Sequence, residues 1–212
     1  MKKKIYLIRH SESTKNIQDV FGDEKAHFEL TSKGKQTIAR LAGYLKKEFN
    51  DLSKETLFLT SPDLRSLDTT KILTALVNCN FEIIQTLKPI KAGELSGISE
   101  DEAKVKYSKL MKNKALYRKR KLSGYEISYP KGEDVRTFQN RVIKDFNLIL
   151  NKDYNRFFII THQSIITAIL SYIKSNNANV DFYYFYQLDL CGISSIDCEV
   201  GRYDIKYTNR LL

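Results

Sequence analysis

The sequence predicts an α/β protein: a three-layer αβα sandwich built on a mainly parallel central sheet. Three observations predict it. Short apolar runs such as IYLIR, ETLFLTS and RFFIITH have the length of buried strands. Between them lie longer stretches whose apolar residues recur at helical spacing. The two kinds alternate, the order that a parallel sheet covered on both faces requires. A chain of 212 residues is long enough for one substantial core, and no linker, repeat or low-complexity run divides it. The expected organisation is a single domain over 1–212.

Each element has its own signal. Ile5 to Arg9 reads as a buried strand that runs straight into His10. Thr31 or Ser32 can cap a helix whose Ile38, Leu41, Ala42, Leu45 and Phe49 share one face. The strand ETLFLTS follows, and Ser61 and Pro62 then offer a cap and a first helical residue for PDLRSLDTTKILTALV. FEIIQ is a third strand. Ser99 and Glu102 form a capping box at the head of a basic helical segment of about 99–125. A further helix starts near Glu133 and buries Val135, Phe138, Val142, Phe146 and Ile149, followed by the strand RFFIITH and the helix QSIITAILSYIK.

Composition narrows the function. No apolar run approaches the roughly 18 residues that cross a bilayer, so no membrane partner is expected. The basic N-terminus has too short an apolar segment, and no cleavage site, for a signal peptide. Three cysteines without a CxxC pair suggest neither a disulfide framework nor a zinc knuckle. The expected compartment is the cytoplasm. The net charge of +10 is mostly local: Lys104 to Lys121 holds nine Lys or Arg and no acid. A solvated helix face explains such a run more simply than nucleic acid, which is not the expected partner.

In parallel sheets ligands collect beyond the C-terminal ends of the strands. That rule selects Arg9 and His10, then Arg65 on the helix after the second strand, then His162 with Gln163 after the late one. Taken singly, each has an ordinary packing or solvation explanation; together, two histidines and two arginines suggest a site. Imidazoles are common metal ligands, but guanidiniums repel a divalent cation and no carboxylate is evidently placed to hold one. An anion fits better. Helix N-termini supply free N–H groups and partial positive charge, and arginine can grip two phosphate oxygens at once.

These residues resemble a known family. RHSEST with Asn16, LTSKGKQ, TSPDLRSLDTTKIL, GELSGIS, PKGEDVRTFQNRV and FIITHQS are similar, in order, to the signature blocks of the histidine phosphatase superfamily, the phosphoglycerate-mutase-like proteins. The resemblance implies that His10 is the nucleophile and carries the phosphoryl group as phosphohistidine. It implies that Arg9, Arg65 and His162 surround the phosphoryl oxygens, with hydrogen bonds from Asn16 and from the backbone of Gln163. No metal or other cofactor is implied, and the expected partner is a small phosphorylated substrate.

Three positions depart from the family pattern. Ser11 and Gln163 stand where glycine is usual, and Ser11 is expected to narrow the space beside the nucleophile. Pro89 stands where many members carry the glutamate that protonates the leaving oxygen; Glu94 and Glu133 are the nearest substitutes in sequence. The expected activity is hydrolysis of a phosphomonoester. A phosphoglycerate-type mutase is the runner-up, and a phospho-ligand or nucleic-acid binding module with little turnover is the reading from another class. His27 and the aromatic run FYYFY after Val180 read as loop and packing residues.

Overall fold

The computed structural model describes residues 2–22, 28–49, 51–52, 54–119, 121–175 and 186–212. His27 and most of FYYFY lie outside them. Six strands form one sheet: β1 (Lys2–Arg9), β2 (Thr56–Thr60), β3 (Phe81–Ile83), β4 (Arg156–Thr161), β5 (Ile193–Glu199) and β6 (Arg202–Arg210). Their order is β3-β2-β4-β1-β5-β6. β3, β2, β4 and β1 pair in parallel, and β5 alone runs against the rest.

The strand pleat sorts side chains into two cores. Ile5, Leu7, Leu57, Leu59, Phe157 and Ile159 face α6 (Val135–Leu150) and α7 (Gln163–Lys174). Tyr6, Ile8, Phe58, Phe158 and Ile160 face α2 (Ser32–Glu48) and α3 (Leu64–Val77). The predicted αβα sandwich is thus observed. On the second face Phe158 stacks between Tyr6 and Phe58, with both ring centroids 4.7 Å away.

Most element assignments hold, with four corrections. The helix after β2 begins at Leu64 and not at Pro62, because the Asp63 N–H bonds the Ser61 hydroxyl and Asp63 becomes the N-cap. FEIIQ pairs only over Phe81–Ile83. The basic segment breaks at Tyr107 into α4 (Glu100–Lys106) and α5 (Ser108–Arg118). The β5–β6 hairpin and the short α1 (Thr14–Gln18) were not foreseen. β6 alternates exposed and half-buried residues at the sheet edge, so its sequence has no continuous apolar run.

Gly34 explains how α2 meets the site. Thr31 caps this helix through the Gly34 N–H at 2.9 Å, and a Cβ on Gly34 would run into the Glu12 carbonyl, two residues after His10. Gly43, on the same helix, has open space around it. Gly34→Ala is therefore expected to destabilise the fold by about 1–3 kcal/mol through overpacking, whereas Gly43→Ala should stabilise it by about 1 kcal/mol through helix propensity. Urea unfolding of the two variants checks this, and equal signs would contradict it.

Candidate active site

Adjacent parallel strands bring their C-terminal ends to one level: Arg9 is in register with Thr161, and Thr60 with Ile160. The ladder continues past the strands, with His10 N–H donating to the Thr161 carbonyl at 2.8 Å and Ser61 N–H to that of Ile160 at 3.2 Å. His10, Arg65 and His162 therefore converge from three neighbouring elements. All three are at least 95% buried, with exposures of 4%, 5% and 3%.

Arg65 lies between the two imidazoles. Its Nε donates to His10 Nε2 at 3.2 Å and its Nη2 to His162 Nδ1 at 3.2 Å, while Nη2 also meets Asp63 Oδ2 at 3.0 Å. A guanidinium only donates, so both facing ring nitrogens are acceptors. The other nitrogens then carry the protons: His10 Nδ1–H donates to the Ser11 carbonyl at 2.8 Å, and His162 Nε2–H to the Ser61 hydroxyl at 2.9 Å. Burial, followed by the charge of Arg65, holds both histidines well below their ordinary pKa. Each is neutral, and His10 keeps a lone pair on Nε2 as a nucleophile needs.

A cavity of about 180 Å³ opens here, lined by Arg9, His10, Lys15, Asn16, Asp63, Arg65 and His162 among others. Lys88 and Lys91 add charge to its wall, and Asp63 is the one carboxylate in its lining among the described residues. Gln163 and Ser164, the first two residues of α7, also line it, which brings a helix N-terminus to the cavity. Asn16 is oriented by Ser13, whose N–H and hydroxyl both bond its Oδ1 at 3.1 and 2.9 Å, leaving the amide NH₂ available. All six predicted residues (Arg9, His10, Asn16, Arg65, His162 and Gln163) line this one cavity. Such a cation-rich, largely buried cavity can hold a phosphoryl-sized anion.

Lys15 was missed. It lines the cavity with no ion-pair partner among the described residues, and burial, with Arg65 and Arg9 nearby, pushes its pKa down to about 8. Its place between His10 and Asn16, in the loop selected by the strand-end rule, was the available signal. One sequence expectation is corrected, and neither Glu94 nor Glu133 lines the cavity. Ser11 does not narrow the cavity: its hydroxyl turns away to the Gly34 carbonyl at 2.8 Å and its N–H bonds Thr69 Oγ1 at 3.0 Å. Glu94 is exposed and paired with Lys131 at 2.8 Å, outside the lining. Glu133 is also outside it, gripped by Arg141 at 2.8 and 3.0 Å.

That grip has a purpose. Arg141 also donates to the carbonyls of Thr86, Lys88 and Pro89 at 2.7, 3.1 and 3.0 Å, while Glu133 accepts the Lys91 N–H at 3.3 Å. The pair clamps the segment that carries Lys88, Pro89, Ile90 and Lys91 to the cavity wall. Behind it, Gly93 has φ +55°, and a Cβ there would strike Pro130 and Gly132.

The histidine phosphatase superfamily (branch 1) model matches residues 5–210. The chain belongs to this superfamily and is a phosphatase of its kind. "Putative phosphoserine phosphatase 2" of Hydrogenobacter thermophilus is 22% identical over 99% of this chain and 96% of its own length. YhfR of Bacillus stearothermophilus superposes with a TM-score of 0.84 at 18% identity, over 99% of this chain and 98% of its own. Mycobacterial glucosyl-3-phosphoglycerate phosphatase does so with 0.79 at 13%, over 99% of each chain. At these identities the structural matches speak for the fold. No helix among the described residues is long and apolar enough to cross a membrane.

Two predictions follow from the geometry. A histidine buried in its neutral form binds fewer protons folded than unfolded, so stability should fall as pH drops below about 6.5, where the unfolded histidines begin to charge. Melting temperature between pH 7.5 and 5.5 measures this; the fall should be larger in the wild type than in His162→Gln, and equal slopes would contradict it. Arg141→Ala should cost about 1.5–3 kcal/mol, the range of hydrogen bonds to a charged group. It should also raise KM more than it lowers kcat, because the wall loosens while the histidines stay in place.

Proposed function

We propose that the protein is a phosphomonoester hydrolase that needs no metal, works through a phosphohistidine at His10, and acts on a small phosphorylated metabolite. One observation carries this reading: Arg65 bridges two neutral histidines at the base of a cation-lined cavity. The phosphoryl dianion enters among Arg9, Lys15, Arg65, His162 and the α7 N-terminus, and Arg65 shifts its donors from His10 onto phosphate oxygens. Nε2 of His10 then attacks phosphorus in line with the departing oxygen. His162, once protonated at Nδ1, holds the equatorial oxygens with Asn16 and the Gln163 N–H through the transition state. Water attacks the phosphohistidine in the second step and releases inorganic phosphate. The cationic lining favours this over metal-assisted chemistry, since it would repel a divalent ion. The names of the phosphoserine and glucosyl-3-phosphoglycerate phosphatases support a small metabolite as the substrate.

The leaving group is the unusual part. Pro89 lines the cavity and cannot give a proton; Asp63 lines it too, but Arg65 engages its carboxylate. With neither placed as a carboxylic acid donor, esters of acidic alcohols are favoured. General acid catalysis is typically worth about 10²–10⁴-fold, and aryl phosphates should outrun alkyl phosphates of similar size by a margin in that range. Phosphate release from p-nitrophenyl phosphate and from a matched alkyl ester measures it. His10→Ala should lower turnover of both by about 10⁴-fold or more, and a wild-type quench should trap an acid-labile phosphoryl adduct at His10. Comparable aryl and alkyl rates would point to a working acid. Turnover surviving in His10→Ala would overturn the reading itself.

A further inference from the structure

A second cavity of about 240 Å³ adjoins the first, and Ile90, Tyr129, Gln163 and Ser164 line both. Together they reach the size of a small-ligand site. Ile127, Val135 and Phe138 make much of its lining apolar, and Lys114 and Arg118 of α5 stand at its wall. The Ser164 hydroxyl is buried and lacks a hydrogen-bond partner among the described residues.

Lys114 is the anomaly. Three cations of the basic run have acidic partners, Lys104 with Asp101, Lys106 with Glu102, and Arg118 with Glu100 at 3.5 Å, and Lys109, Lys112, Lys119 and Lys121 are exposed to solvent. Lys114 is half-buried and has no carboxylate within ion-pair distance among the described residues. Its ammonium lies 4.1 Å from the ring centre of Phe21 and 5.5 Å from that of Tyr129, and both rings line the first cavity. Burial, followed by the charge of Arg118, brings its pKa down to about 8, so it is mostly protonated at neutral pH. A desolvated ammonium without a counter-ion is costly, and the aromatic faces repay only part of that cost.

Building on the phosphohydrolase reading, we propose that the second cavity holds the leaving group, and that the preferred substrate is a phosphomonoester whose hydrocarbon or aromatic body ends in a carboxylate that meets Lys114. The body follows from the walls: Ile90, Ile127, Val135 and Phe138 favour a hydrocarbon or aromatic surface over one made of hydroxyls. A carboxylate follows from the charge count. Glu100 pairs directly with Arg118 and reaches Lys114 only through its field, so a single negative charge matches the ammonium and a second phosphate dianion would exceed it. Ser164 lines both cavities, where the substrate's phosphate would join its body.

The probes are 4-carboxyphenyl, 4-(carboxymethyl)phenyl and 4-(2-carboxyethyl)phenyl phosphate, each set against its own carboxamide. In the wild type at least one acid should exceed its amide in kcat/KM by about tenfold or more, the worth of one charge-assisted contact. In Lys114→Met and Lys114→Gln the ratio should fall to near one. In Lys112→Met, altered at an exposed lysine of the same helix, the wild-type ratio should persist. No discrimination in the wild type, a ratio retained without Lys114, or a ratio lost equally in Lys112→Met would overturn the proposal. If no ester releases phosphate, the hydrolase reading falls, and calorimetric titration of the same pairs into His10→Ala decides this one. Tighter binding of an acid than of its amide, lost on adding Lys114→Met, would uphold the site; equal affinities would sink it.

Discussion

One side chain governs the chemistry of the site. Arg65 has only donors to offer, and it offers them to both histidines, so the nitrogens that face the cavity must be lone pairs. The outward nitrogens then need acceptors, and the Ser11 carbonyl and Ser61 hydroxyl supply them. Tautomer, ring orientation and charge of two residues thus follow from one guanidinium. Asp63 holds that guanidinium at 3.0 Å and lies 3.6 Å from His162 Nε2, so the carboxylate steadies the cluster.

Holding these groups still is the task of the scaffold. Three adjacent strand ends supply them, and the backbone bonds from His10 and Ser61 to β4 extend the sheet's rigidity into the site. The rest is a set of close contacts that leave little freedom. Gly34 lets α2 press on the backbone beside His10, and Thr69 and the Gly34 carbonyl fix Ser11. Glu133 and Arg141 tie down the segment at the opposite wall. A displacement of about 1 Å in such a site can cost about a hundredfold in rate, which gives these peripheral contacts their importance.

Much of this was legible in the sequence, for a physical reason. Buried parallel strands and their covering helices must be apolar with distinct periods, so the β1, α2, β4, α6 and α7 segments announced themselves, and the strand-end rule placed Arg9, His10, Arg65 and His162 together. What escaped lacks that signature. The β5–β6 hairpin has a solvated edge strand, and α1 is too short to show a period. Ser11 was misjudged because sequence does not say which way a side chain turns, and here a carbonyl of a residue 23 positions away draws it off. Glu94 and Glu133 are near the cavity in sequence but face Lys131 and Arg141, a choice made by tertiary pairing. Lys15 and Lys114 differ from the many solvated lysines only in what surrounds them.

The Arg65–His10 bond also bears on when the proposed nucleophile would become available. With Arg65 Nε–H donating to His10 Nε2, the lone pair that would attack phosphorus is occupied. A neutral ligand has little with which to draw the guanidinium away. A phosphoryl dianion has, because charge-assisted bonds to phosphate oxygens are stronger than one bond to a neutral imidazole. In the proposed reaction, the feature that identifies the substrate thus uncovers the group that attacks it, and binding energy is directed into readying the nucleophile. In that proposed reaction the same exchange would load negative charge beside two imidazoles whose pKa values burial and then the cations lower, and so would favour an imidazolium at His162 that adds positive charge to the phosphoryl oxygens. In this proposal the cations that help keep both histidines neutral become, with their charge matched by phosphate, the means of charging one of them.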